Sequence, residues 1–518
     1  VLLGYFDSYS EFGRKAYTPY AATSVDFFAQ DSWKVTPKLT FEYGIRYSLW
    51  PPWSSRWGNI SMFHPDYYDP SKAAVIDRSQ GFVVSGDRYN GIVLPGNGVP
   101  KAEGGRVEAF RTNEFDRLRH NLPNGFSPTY KNLWQPRLGL AYALGQKTAL
   151  RAGLGRFYNR TMINRDTALG GNPPFQLQQG VFFGNVDTPG GATRRDFPFA
   201  MTIQDPVFRI PEAWMWNATF ERELPGAIRV EAGYVARRGL YNQRKRNINQ
   251  LPIGTIQANP GVNPNFLRPY LGYGIVGISE NSGTSRYDGL QLSVERRFSR
   301  GFQFGGAYTL SRTLDDASSL TEVLPNAYDT RGYYTHSDND RRHVLIFNYI
   351  YEIPLFKASR RLIKSTLGGW ELSGVNQFQS GAPFSVREGV DYAGVGPGSG
   401  NQFWRVTGNP NEVERTPFTN FATWFNRAAF ARPDQRTFAP SNVRNTLYNP
   451  GFYTWDMGLR KNFAVTEKQR LQFRWEVFNV LNHPNWGGAT NNPVSANFGQ
   501  VTGKTGERQL QLAMKYIF

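Results

Sequence analysis

The chain has 518 residues, carries 59 Lys and Arg against 41 Asp and Glu for a net charge of +18, and contains no cysteine. Its mean hydropathy is −0.50, and no run approaches the roughly 18 consecutive apolar residues of a membrane-crossing helix, so a helical membrane protein is excluded. The missing thiols exclude disulfides and thiolate metal sites, while 15% aromatics and 53 glycines make a β-rich, turn-rich composition.

Residue 1 is valine, no secretion signal precedes it, and Val1-Leu2-Leu3-Gly4-Tyr5-Phe6 already reads as structure. The expectation is a fragment or processed product. The first hairpin is Val25–Trp33 and Leu39–Leu49, turning at Lys34-Val35-Thr36-Pro37-Lys38. Leu39, Phe41, Tyr43, Ile45, Tyr47 and Leu49 share one parity, and Thr40, Glu42, Arg46 and Ser48 take the other. A period of two marks a strand with one oily and one wet face.

After an irregular stretch to Gln135, Pro136–Leu144 and Thr148–Phe157 form a second pair. Glu212–Glu223 with Ala227–Arg237, and Arg286–Phe298 with Phe302–Arg312, are the next two. The segment Arg238 to Ser285 reads as irregular. Arg341–Ile353 and Gly369–Gln379 flank a longer turn, and Phe452–Phe463 and Lys468–Leu481 precede the final strand in Gly506 to Phe518. On that strand Leu510, Leu512, Met514, Tyr516 and Phe518 oppose Gln509, Gln511 and Lys515.

Connections alternate short and long from Val25 onward. A soluble sandwich has no reason to sort its loops this way, whereas an antiparallel transmembrane β-barrel has short periplasmic turns and long extracellular loops. Strands of ten or so residues cross a tilted bilayer, and each backbone group finds a partner in its neighbour, as lipid demands. Thirteen such strands are countable, with Val1–Phe6 as a fourteenth. The fold class expected is all-β, a barrel of about 14 strands in this chain.

Several stretches carry a family likeness: Phe27-Phe28-Ala29-Gln30-Asp31-Ser32-Trp33, Pro136-Arg137-Leu138-Gly139-Leu140-Ala141-Tyr142, Glu221-Arg222-Glu223-Leu224-Pro225-Gly226, Gly233-Tyr234-Val235, Ser337-Asp338-Asn339-Asp340-Arg341-Arg342-His343, Asn449-Pro450-Gly451-Phe452 with Trp455-Asp456, Arg474-Trp475-Glu476-Val477-Phe478-Asn479-Val480-Leu481-Asn482-His483-Pro484, and Asn497-Phe498-Gly499-Gln500-Val501. In this order the chain resembles the carboxyl-terminal barrel of TonB-dependent outer-membrane receptors, of the Oar-like branch of acidobacteria and myxobacteria. The resemblance implies a barrel of about 22 strands, a plug and an amino-terminal extension outside residues 1–518, and import of a large or scarce substrate such as an oligosaccharide, a peptide or a metal chelate. It implies outer-membrane lipid and lipopolysaccharide, the barrel insertion machinery and the TonB system as partners. Met514, Tyr516 and Phe518 look like the signal that the insertion machinery reads. Alternatives are an anchor for surface assembly or adhesion through the long loops, and a passive pore.

Other motifs are weaker. Gly499 to Thr505 falls one residue short of a phosphate loop and has no following helix, and Gly394 to Gly400 reads as a loop tip. The five histidines, His64, His120, His336, His343 and His483, have no metal-ligand spacing. Asp315, Asp316, Asp338 and Asp340 sit at the two ends of one loop, where calcium competes with pairing to Arg331, Arg341 and Arg342. The basic run Arg237-Arg238 and Arg244-Lys245-Arg246 reads mainly as a solvated loop face, with anionic lipopolysaccharide or an acidic substrate as the rival. Trp50, Trp53, Trp57, Tyr67 and Tyr68 read as packing anchors of the first long loop in preference to sugar-stacking platforms. No nucleophile, base and orienter combine into a catalytic set. The expectation is no enzyme, no cofactor, no metal and no nucleic-acid partner.

Overall fold

The computed structural model describes residues 4–14, 16–160, 167–187, 194–356, 358–413, 423–441 and 443–518. One large sheet dominates it. Its path runs in chain order through β1 (Val25–Thr36), β2 (Leu39–Leu49), β3 (Trp134–Gly145), β4 (Thr148–Tyr158), β5 (Glu212–Leu224), β6 (Ile228–Asn247), β7 (Tyr273–Ser299), β8 (Phe302–Asp315), β9 (His343–Glu352), β10 (Trp370–Gln379), β11 (Phe452–Ala464), β12 (Arg470–Phe478) and β13 (Gln509–Ile517). All twelve successive pairs are antiparallel. Two short strands, Phe199–Gln204 and Thr335–His336, bring the sheet to fifteen.

Pairing register places the two parities on opposite faces. Tyr234 stands opposite Leu290 and Leu290 opposite Leu310, while Gly233 stands opposite Gln291 and Gln291 opposite Thr309. The apolar parity is uncovered: Leu290 is 41%, Leu512 70% and Trp33 57% exposed. A soluble sheet buries that face; here it faces lipid. Aromatics pair toward the strand ends, with Tyr47 against Trp134 at 4.3 Å and Phe302 against Tyr351 at 5.8 Å. The inner turns are tight. Arg300 and Gly301 both have positive φ, 54° and 79°, the left-handed pair whose twist matches a two-residue hairpin.

The amino-terminal strand is not part of this path. Tyr5–Phe12 pairs with Gln178–Asn185, inside the outer loops, and Val1–Leu3 lie outside the described residues. It is therefore no fourteenth barrel strand; its neighbour comes from the connection after β4. Among the described residues β1 and β13 are the two ends of the path and do not pair with each other.

The hairpin β6–β7 extends well beyond its expected ends, to Asn247 and back to Tyr273. Residues 239–247 and 273–285 show no alternation because both their faces are covered. Val276 and Ile278 are buried in a loop core, and Arg244 is buried against Glu280. The bulge between Leu240 and Asn242, with Tyr241 at φ 57°, marks where the hairpin leaves the barrel pattern.

The hydrophobic cores lie in the loops and outer strand ends. One joins Ile60, Met62, Phe63, Ile92, Val93 and Leu94 from the first long loop with Leu169, Phe175, Met201 and Ile203 from the second and Tyr273 and Val276 of β7. Another joins Val386, Phe425, Phe430 and Leu447 with Phe498, from the two last long loops. The outer connections thus form a packed layer above the barrel.

Candidate functional site

The outer ends of β4 to β8 and the connection 316–342 enclose a cleft of about 450 Å3 at the mouth of the barrel. Asn159 and Arg160 come from the end of β4, Arg237, Asn242 and Gln243 from β6, Ser285 from β7, and Thr313 and Asp315 from β8. Ser318, Ser319, Leu320, Ser337 and Asn339 form the loop side. Amides, hydroxyls and the exposed Arg237 predominate. A ligand entering here meets donors and acceptors set among a comparable share of apolar wall, which suits a solute that carries polar groups on a larger body.

A buried ionic network fixes the loop side. The Arg444 guanidinium, 2% exposed, lies 3.0 Å from Asp315, 3.4 Å from Glu322 and 3.9 Å from Asp338. It also donates to Ser318 Oγ at 2.7 Å and to the carbonyls of Asp315 and Tyr333. Burial lowers the Arg444 pKa, but Glu322 and Asp315 outweigh it and hold the group above its usual value. Beside it Arg244 reaches Glu280 at 3.1 Å and Asp316 at 3.2 Å, and Arg246 reaches Glu280 at 2.8 Å. Asn445 donates to Asp338 at 2.6 Å and to the His336 carbonyl, and His336 Nδ1 lies 3.1 Å from Asp340.

The four aspartates do gather, as their positions at the loop ends suggested, but their partners are not those expected. Arg331 pairs with Asp329, and Arg341 donates to the carbonyls of Asp338 and Asp340. Arg444, more than a hundred residues away in sequence, takes the central place. Among the described residues no three acidic or histidine side chains converge to hold a metal ion. The basic run is likewise not a solvated loop face where it matters most: Arg244 and Arg246 sit on β6 and are held by Glu280.

The five aromatics of the first long loop are all engaged. Trp50 donates to Asp26, Trp53 lies under the Arg160 guanidinium at 4.4 Å, and Trp57 packs on the loop core. Tyr67 stacks on His120 at 4.2 Å and Tyr68 meets Tyr270 at 5.2 Å. They are packing anchors. Gly394 to Gly400 are loop, and Gly499 to Gly503 lead into a short strand, Lys504–Thr505, paired with Asn485–Trp486; among the described residues neither glycine stretch opens a helix.

Two neighbouring carboxylates respond oppositely to acid. Burial pushes Glu280 up, but hydrogen bonds and charge from Arg246, with Ser282 and Arg244, hold it below its usual value. Burial pushes Asp316 up, and Arg244 only partly offsets it. Glu280 therefore contributes stability that is present above about 4.3 and lost as the pH falls through its lowered value. Asp316 contributes stability that is full below about 3.9 and lost as the pH rises through its raised value, so its charge is a net cost at neutrality. At pH 7 we expect Glu280→Gln to cost about 1–3 kcal/mol in loop stability and Asp316→Asn to leave it unchanged or improved. Hydrogen exchange of residues 239–247 and 316–342 measures both; equal losses would reject the assignment.

The lumenal wall below the cleft is charged and paired. Arg151 meets Glu221, Arg229 bridges Glu221 at 3.6 Å and Glu295 at 3.3 Å, and Arg460 meets Glu371 at 2.6 Å. A polar interior beneath a lipid-facing apolar belt is the pattern of an outer-membrane barrel.

Residues 1–511 match the outer membrane beta barrel domain family. The chain belongs to that family. This barrel domain locates the protein to the outer membrane. Similar solved structures include the outer membrane transporter YddB from Escherichia coli, at 10% identity and TM-score 0.45, covering 96% of this chain and 54% of that one. The Ferric-Catecholate import receptor Fiu from E. coli K12 matches at 11% identity and TM-score 0.39, covering 96% and 45%. The ferripyoverdine receptor of the outer membrane of Pseudomonas aeruginosa matches at 10% identity and TM-score 0.41, covering 96% and 39%. The barrel domain thus spans between 39% and 54% of the length of these three chains. No curated protein matches it at a significant level.

Proposed function

We propose that residues 1–518 are the carboxyl-terminal part of the barrel of a TonB-dependent outer-membrane receptor of the Oar-like type, which captures a large or scarce polar solute at the outer mouth and imports it. The plug, amino-terminal extension and TonB contact that this requires come from sequence upstream of Val1. The observation that carries the reading is the ordered cleft of about 450 Å3, whose walls are held by a buried ionic network above a polar lumen. An oligosaccharide, a peptide or a metal chelate each meets that lining.

The test is uptake by cells making the full-length protein, with and without an uncoupler of the proton-motive force. Expected is saturable uptake that the uncoupler abolishes, and about tenfold weaker capture on Arg237→Gln, from loss of one charged hydrogen bond. Linear uptake that survives the uncoupler would assign a passive pore. Absent uptake with cell adhesion lost on loop removal would assign the surface anchor, a reading favoured by the packed cores of the long loops.

The terminal strand is proposed as the handle for insertion. Met514, Tyr516 and Phe518 are 65%, 49% and 91% exposed, and the Tyr516 and Phe518 rings lie 5.9 Å apart. Removing Phe518 is expected to deplete folded, heat-modifiable protein from the outer membrane several-fold; unchanged levels would reject this role.

A further inference from the structure

The inner turn between β9 and β10 differs from the shorter inner turns around it. It carries a helix, α1 (Arg361–Leu367). On a helix, at about 100° per residue, Leu362, Ile363 and Leu367 fall within an arc of about 140°. Lys364 lies on the other side, and the sequence supplies Arg360 and Arg361 just before and at the first turn.

The position of α1 is set by Lys461. That residue stands opposite Trp370 and Phe473 in register, on the parity of Leu459 and Trp475 that faces lipid. Lys461 is nevertheless only 1% exposed. It donates to the Thr366 carbonyl of α1 and lies over the rings of Trp370 and Phe463 at 5.3 and 4.6 Å. The helix therefore sits against the outward face of the barrel at its periplasmic rim, not beneath the lumen. Leu362 is 78%, Leu355 57%, Leu367 53%, Phe356 42% and Ile363 40% exposed. These exposed side chains continue the apolar belt of the sheet beyond the inner ends of β9 and β10.

We infer that α1 is an interfacial anchor that binds anionic phospholipid in the periplasmic leaflet. Its Leu362 and Leu367 face enters the acyl boundary, and Arg360 and Lys364 engage headgroup phosphates. This rests on the barrel's orientation alone and is independent of what the barrel transports.

Residues 1–518 contain no cysteine, so, with any cysteine upstream of them replaced by serine, Leu362→Cys carries a single environment-sensitive fluorophore on the full-length protein in vesicles. Expected is quenching by brominated acyl chains at Leu362→Cys and none at an outer-loop control, Ser79→Cys, with heat-modifiable mobility confirming the fold. Immersion should be greater with phosphatidylglycerol than with phosphatidylcholine. Arg360→Gln and Lys364→Gln should each lower the immersed-to-free ratio about fivefold in phosphatidylglycerol alone. A label unquenched in both vesicle types overturns the anchor. Equal quenching in both, unaffected by the two glutamines, overturns the headgroup assignment.

Discussion

Replacing Arg444 with methionine is expected to destabilise the outer loop layer by about 3–5 kcal/mol. The change keeps most of the side-chain volume but removes the cation that pairs with Asp315, Glu322 and Asp338. Asp315 is itself buried, 6% exposed, so the substitution leaves an uncompensated charge where water cannot reach it. Breaking a buried ion pair from one side costs more than the pair contributes as a whole, because the surviving partner keeps its desolvation penalty. Arg444 also donates to Ser318 and to two carbonyls, so hydrogen bonds are lost with the charge. Arg444→Lys should recover only part, since an ammonium cannot fork between three acceptors. Hydrogen exchange of residues 316–342 and 380–413 reads the effect; protection unchanged in the methionine variant would remove Arg444 from its central place.

Leu292→Arg is expected to cost about 2–4 kcal/mol in barrel stability, and Gln291→Arg next to it close to nothing. Leu292 stands opposite Ala232 and Tyr308, on the parity with Leu290 and Val294, mid-way along the part of β7 paired to β8. Gln291 stands opposite Gly233 and Thr309, facing the lumen. A guanidinium at Leu292 enters hydrocarbon, and one at Gln291 enters water. Refolding equilibria into vesicles measure both, and equal costs would mean that the two faces have been exchanged.

The parity that underlies this contrast was legible in the sequence wherever a strand has lipid on one side and water on the other. Thr148–Phe157 and Phe452–Phe463 end within one residue of β4 and β11. The pattern failed where the solvent changed. Beyond Arg238 and before Ser285 the hairpin rises among the loops, both faces are covered, and alternation vanishes although pairing continues. The site was less legible still. The gathering of Asp315, Asp316, Asp338 and Asp340 follows from their positions at the two ends of one loop. Arg444 carries no local signal, because its partners Glu322 and Asp315 lie 122 and 129 residues away. The inner helix was visible only as a turn somewhat longer than its neighbours, since seven residues are too few for helical periodicity to declare itself.

One chain here solves two different solvation problems. The loop cores around Phe63 and Phe425 are oil drops formed in water, and they draw on the hydrophobic effect, which weakens on cooling and in urea. The sheet keeps its Leu and Trp side chains on the outside and draws on lipid and on backbone bonds that have no aqueous competitor. The two layers therefore have separate denaturants. Urea acts first on the canopy, leaving a membrane-embedded sheet with its mouth unlatched, whereas stripping the lipid attacks the sheet while the canopy keeps its reason to stay folded.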